Sequence, residues 1–264
     1  MVFELVSGLW VPAPAKPKGE KNISIFLDES YDERQESVHV VAGYIGAEHN
    51  WKDFTANWKA VMTDCGLDGV TFHSTLFFHG GEEPWKSLKK DAERFKAMLN
   101  GLLDVIRDNG VYPFGAMLLM KEYATSRNIL TCDDPYELCL EFALYAAAEL
   151  CEVAEGGSIK FVCDENQSIS KSVLRAFDEM KDEKPELKTV FSTLEFGTDE
   201  DNPELCAADL LAFEVRKHVY NTIHSPEVPI RYPLARIVAD GPYHFKRVDF
   251  TPLLGLEGVW TPQP

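Results

Sequence analysis

Basic residues are scarce in this chain. It carries 26 lysines and arginines against 43 aspartates and glutamates, a formal net charge of −17. That balance works against broad attraction to a polyanion and leaves a locally basic patch as the route to nucleic acid. Part of the excess lies in runs, Asp178 to Glu186 and Asp199 to Glu204, which read as solvated faces. No run of eighteen apolar residues occurs, so no membrane span is expected. The first residues lack a basic n-region and Glu4 interrupts their short apolar run, which argues against a secretory signal. Cysteine is also sparse. The six present show no Cys-x-x-Cys spacing, and Cys139, Cys151, Cys163 and Cys206 lie among apolar neighbours. They read as small core residues in a reducing cytoplasm, not as disulfides or a zinc cage.

What is present is an ordinary core composition, 45% hydrophobic over 264 residues, and a repeated acidic signature. Ile23-Ser24-Ile25-Phe26-Leu27 runs into Asp28-Glu29, and Ile159-Lys160-Phe161-Val162-Cys163 runs into Asp164-Glu165. Such apolar runs read as buried strands. A third acid, Asp209, sits inside Cys206-Ala207-Ala208-Asp209-Leu210-Leu211-Ala212-Phe213, which reads as a packed helix. Carboxylates are rarely set beside buried segments without a partner.

Residues 1–21, with Pro12, Pro14 and Pro17, read as an extended lead-in. A strand ending at Asp28 follows, then a polar turn over 30–37, then a strand over 38–45 paired antiparallel to the first. Trp51, Phe54, Trp58, Val61 and Met62 recur at helical spacing over 50–64, and a second helix is expected over 91–108, closed by Asn109-Gly110. A third strand is expected over 112–120. Asp133-Asp134-Pro135 starts a helix to about Glu155, with Pro near N1. The strand bearing Asp164, a helix over 171–180, a strand over 190–196 and the Asp209 helix over 203–219 come next. The stretch 225–264 is a Pro-rich C-terminal extension.

That order gives an α/β fold of the ribonuclease H-like kind. It is a mixed sheet, three antiparallel strands then parallel ones, flanked by helices. The domain spans 22–224, with an insertion at about 50–110. The first and fourth strands then lie side by side and parallel, which brings Asp28 and Asp164 together at adjacent carboxyl ends, where ligands of open α/β sheets bind. Asp209 completes the cluster. Two carboxylates 4 Å apart repel by about 4 kcal/mol at an effective dielectric of 20, so three clustered acids call for a cation or protons. Oxygen-only ligands suit Mg²⁺ or Mn²⁺. Strand alternation puts Asp28 and Glu29 on opposite faces, and likewise Asp164 and Glu165, so one of each pair is expected to be the ligand. Glu137, in the first turn of its helix, is either a fourth carboxylate of the site or an acid complementing the helix dipole.

Phe26-Leu27-Asp28-Glu29-Ser30, Val41-Ala42-Gly43-Tyr44, Phe72-His73, Val162-Cys163-Asp164-Glu165 and Ala207-Ala208-Asp209-Leu210-Leu211-Ala212 together resemble an uncharacterised bacterial family, domain of unknown function 3800 (DUF3800), over roughly residues 22–220. That family is thought similar to ribonuclease H and integrase-type nucleases. The resemblance implies metal-dependent phosphodiester chemistry, with Asp28, Glu29, Asp164 and Asp209 as the acidic positions and His73 as the histidine. The family commonly has a glutamate shortly before that histidine, where this chain has Thr71 and Phe72.

His73 then has two readings, positioning or protonating a leaving group, or a hydrogen-bonded structural residue. His79, beside Gly80-Gly81, reads as a loop residue. Between Pro229 and Arg247, Arg231, Arg236, Lys246 and Arg247 oppose Asp240 alone, with Tyr232, Tyr243, His244 and Phe245 interleaved. This is either a nucleic-acid surface or an extension packing its rings while its charges snorkel. The ends share a Gly-x-Trp-x-Pro-x-Pro pattern, at 8–14 and 258–264. It is either a coincidence of Pro-rich tails or a pair of segments seated in related grooves across a homodimer. The expected function is a divalent-metal-dependent nuclease acting on RNA or DNA. Its alternative is a non-catalytic binding or regulatory module on the same fold. A haloacid dehalogenase-type phosphatase is disfavoured, because Ser30 stands where Asp-x-Asp chemistry wants its second acid.

Overall fold

Along β1 (Asn22–Tyr31), Ile23, Ile25 and Leu27 pack on one side while Phe26 packs on the other. This two-faced burial marks a central strand. β2 (Val38–Ala47) is buried at every position. The structure, a computed structural model, describes residues 20–32, 37–126, 134–151, 157–165, 170–239 and 244–247. Within them β1 and β2 form the middle of a six-stranded mixed sheet with β3 (Tyr112–Leu119), β4 (Ser158–Asp164), β5 (Phe191–Gly197) and β6 (His244–Arg247), in the order β5-β4-β1-β2-β3-β6. The pairs β1–β2 and β2–β3 are antiparallel, and β1–β4, β4–β5 and β3–β6 are parallel. The expected adjacency of the first and fourth strands is therefore observed, in a register that pairs Leu27 with Cys163.

Helices cover both faces, giving three layers. On the Phe26 side lie α1 (Glu48–Asp64), α2 (Ser74–His79), α3 (Trp85–Lys90), α4 (Ala92–Asp108), α9 (Pro203–His224) and α10 (Tyr232–Ala239), packed over Val40, Ala42 and Tyr44. On the other side α6 (Pro135–Leu150) and α7 (Ser170–Glu183) cover Ile23, Ile25, Val41 and Ile45. The short α5 (Met120–Ser126) and α8 (Pro185–Lys188) connect elements at the rim. Among the described residues, no helix is long and apolar enough to cross a membrane.

Several boundaries differ from expectation. β1 runs to Tyr31, because Ser30 and Tyr31 still pair with Val40 and His39. The 50–110 insertion is four helices rather than two. His79 closes α2, with Gly80 in the left-handed conformation (φ 64°) as its cap, so it is not a loop residue. The 225–264 stretch contributes α10 and the sheet-edge strand β6. The acidic run 178–186 is largely exposed, as expected, but Asp199 and Glu204 are buried. Solvation therefore fails at the two ends of the second run, where β5 turns back into α9, while Glu200 and Asp201 are exposed. Most of the N-terminal lead-in, both Gly-x-Trp-x-Pro-x-Pro segments, Cys132, Asp240 and Tyr243 lie outside the described residues.

One glycine is forced by close approach. A Cβ at Gly43 of β2 would fall 1.7 Å from the Phe26 carbonyl oxygen, two residues before Asp28. This part of the sheet closes only around a bare Cα.

Candidate metal centre

Three parallel strands end side by side, and each delivers an acid at or just past its carboxyl end. Asp28 and Glu29 lie near the end of β1, Asp164 is the last residue of β4, and Asp199 lies two residues past β5. Carboxylate oxygens of Asp28, Glu29 and Asp164 all lie within 4.8 Å of one another. Both acids of the β1 pair thus fall in the group, where strand alternation pointed to one of them. Alternation directs the Cβ atoms of Asp28 and Glu29 apart, yet both carboxylates reach the same point, and the Glu29 N–H donates to Asp28 Oδ1 at 2.6 Å. Glu165 is exposed and turns its N–H to the Gly197 carbonyl at 2.9 Å.

Asp209 sits in the second turn of α9, which packs across β1 and β2. It lies outside the group of three, but it is the charge that acts most strongly on Asp28. Its Oδ2 accepts the Ser74 N–H at 2.6 Å, which ties the start of α2 to the site. That bond places His73, whose Nδ1 stands 3.3 Å from Asp199 Oδ2 and 3.9 Å from Asp209 Oδ2. The His73 ring is half exposed.

The electrostatics are one-sided. Among the described residues, no lysine or arginine pairs with Asp28, Asp164, Asp199 or Asp209. Burial pushes the Asp28 carboxyl well above the usual carboxylate range, and the charges of Asp209, Glu29, Asp164 and Asp199 add to it. Burial, then Asp164, Asp209, Glu200 and Glu29, push Asp199 up to about 8. Asp164 and Asp209 are also raised, mainly by burial, which outweighs the hydrogen bonds each accepts and the pull of His73. The Tyr136 hydroxyl is raised too, by burial first and then by Cys163, Glu29, Asp28 and Asp164, so α6 begins beside the cluster.

Glu137 stands in the first turn of α6, where Arg175 of α7 lies at 3.8 Å, and it is not one of the grouped acids. Asp199 was missed from sequence because it opens an acidic run. The signal that could have found it is positional: like Asp28 and Asp164, it lies at the carboxyl end of a parallel strand. Of the C-terminal basic residues, Arg231 pairs with Glu214 at 3.0 Å and Arg236 with Asp104 at 2.7 Å, while Tyr232 donates to Asn100 at 2.7 Å. Phe245 is buried. Of the two readings of 229–247, the described part fits the packed extension, its arginines paired and Phe245 buried.

The Asp28, Glu29 and Asp164 oxygens are close enough together to hold a metal ion. No family model matches the chain, and no curated protein matches it.

Proposed function

We propose that this chain is a metal-dependent nuclease of ribonuclease H-like architecture, hydrolysing phosphodiester bonds of RNA or DNA. The observation that carries this reading is the convergence of Asp28, Glu29 and Asp164 at the carboxyl ends of adjacent parallel strands, with Asp209 facing them from α9. Oxygen-only donors favour Mg²⁺ or Mn²⁺. When bound, such an ion activates water and stabilises a leaving oxygen. Asp28, Glu29 and Asp164, with Asp209 beside them, would hold the ion, and without it their charge would repel an incoming phosphate. Asp199 orients His73 through Nδ1, and the exposed ring is placed to donate a proton to the leaving oxygen. The sheet order β5-β4-β1-β2-β3 and the resemblance to DUF3800 support the same reading.

The test is cleavage of labelled RNA and DNA with Mg²⁺ or Mn²⁺. Asp28→Asn and Asp164→Asn abolish it while circular dichroism stays unchanged. Cleavage retained in both variants refutes the assignment. The net charge of −17 favours a second reading, a non-catalytic module on the same fold. Calorimetry with Mn²⁺ separates the two, since a module that has lost its site takes up no stoichiometric ion.

A further inference from the structure

Asp28 and Ser30 lie on one face of β1, about 6.6 Å apart at 3.3 Å per residue. Asp209 and Arg216 lie on one stripe of α9, seven residues and about 10.5 Å apart. The two elements face each other twice. Asp209 acts on Asp28, and one step further along Arg216 Nε donates to Ser30 Oγ at 2.9 Å. A guanidinium is thus tied to the strand position two residues beyond Asp28, a backbone spacing close to the separation of successive phosphates in an extended nucleic-acid strand.

Arg216 is only loosely compensated, by the charge of Asp32. It is partly buried, and no carboxylate among the described residues lies within ion-pair distance of it. Its Cζ sits 5.4 Å from the Phe213 ring centroid, and Arg231 Cζ lies 5.5 Å from the same ring. Arg231 is compensated by Glu214 at 3.0 Å; Arg216 is held by a neutral hydroxyl. Lys217 Nζ lies 5.6 Å from the Phe213 ring as well, so three cations converge on it, and among the described residues Arg216 has no carboxylate within ion-pair distance, which makes a place for an anion. One turn further along the same stripe, Tyr220 is 40% exposed. Cluster, guanidinium and exposed ring therefore follow one another along about 16 Å of α9.

The geometry points to a single-strand track on α9. Arg216, braced by Ser30, binds the phosphate next to the one at the acidic cluster, and Tyr220 stacks on an unpaired base beyond it. An acidic protein needs such a local cation to hold a polyanion, and exposed rings serve unpaired bases rather than a closed duplex. This rests on the nuclease reading for its substrate class, and the test keeps the two apart.

Binding of a fluorescein-labelled dodecathymidylate is measured by anisotropy across salt concentrations, using the full chain with Asp28→Asn, in EDTA. Arg216→Gln weakens binding about tenfold at 0.1 M salt and flattens the log affinity against log salt slope by about 0.7, the value of one single-strand phosphate contact. Arg216→Lys keeps the slope and recovers part of the affinity. Tyr220→Ala, which removes a part-exposed ring whose described ring contact is His224 of the same helix, weakens binding about tenfold with no change in slope. The matching duplex binds more weakly than the single strand and is insensitive to Tyr220→Ala. An unchanged slope and affinity in Arg216→Gln, or no effect of Tyr220→Ala, overturns the track. In the active chain, the same Arg216→Gln raises KM more than it lowers kcat. Normal cleavage with unaltered Arg216→Gln binding sinks the track and leaves the nuclease standing. An altered slope with no metal-dependent cleavage does the reverse.

Discussion

Replacing Asp28 by Asn separates a metal site from a structural carboxylate, because the two predict opposite signs. The oxygens of Asp28, Glu29 and Asp164 lie within 4.8 Å of one another. At that separation and an effective dielectric of 20, each ionised pair repels by about 3.5 kcal/mol. Protonation already relieves part of this, since the Asp28 carboxyl is held well above its ordinary range. Asn removes the charge and keeps an amide oxygen to accept the Glu29 N–H, now bonded at 2.6 Å. The metal-free variant is therefore expected to gain about 1–2 kcal/mol, a rise in Tm of about 2–8 °C. Mn²⁺ at 100 times its Kd stabilises the wild type by about 2.7 kcal/mol and does little for the variant. The assay is thermal denaturation at about pH 8, in EDTA and then in excess Mn²⁺. The order of melting should invert between the two conditions. A variant that melts below wild type in EDTA, with equal Mn²⁺ shifts in both, refutes the reasoning and makes Asp28 a structural acceptor.

Glu214 gives a pH signature away from the cluster. It is fully buried, and burial pushes its carboxyl up to about 7 against the pull of Arg231 and Lys217. A folded-state value above the unfolded one means the native state binds more protons. The associated stability is present below about pH 4.5 and is lost as pH rises through about 7, on the order of 3 kcal/mol in all. Denaturant titrations of Glu214→Gln should show this slope removed between about pH 5 and pH 8, and an unaltered slope contradicts it. Gly43→Ala should cost about 2–3 kcal/mol, read from the urea midpoint, because its methyl meets backbone at Phe26 rather than a side chain that can move. A neutral substitution there would mean that β1 and β2 can separate without cost.

The strands were legible because burial on both faces leaves apolar runs with few alternatives. Ile23–Leu27 and Ile159–Cys163 announce themselves, and their ends carry the acids. The pairing of those ends followed from element order alone. What was not legible depends on how the chain turns after a strand. Glu29 joins Asp28 although β1 runs on to Tyr31, because a long side chain can reach past the pleat, which alternation of Cβ atoms does not describe. Asp199 and Glu204 are acidic neighbours of the exposed Glu200 and Asp201, and only the fold-back of α9 onto the sheet separates buried from solvated. Glu137 had the right helix position but faces Arg175 on the neighbouring helix. The C-terminal arginines carried the right charge but found Glu214 and Asp104, residues far away in sequence.

The insertion is where fold and site meet. Its four helices have an aromatic interior, in which Phe72 lies 5.7 Å from Trp58, 5.2 Å from Phe77 and 5.9 Å from Trp85, ring centre to ring centre. Phe72 is fully buried, and the next residue is His73. Packing therefore fixes the backbone immediately before the histidine, and the Ser74 N–H bond to Asp209 fixes it immediately after. A half-exposed imidazole gains a defined position without being buried, held by one apolar anchor and one charged acceptor. The same contact works in the other direction. Asp209 receives a backbone donor from the insertion, which offsets part of the cost of burying its charge in α9. The inserted helices thus contribute to the acidic centre without supplying any of its carboxylates.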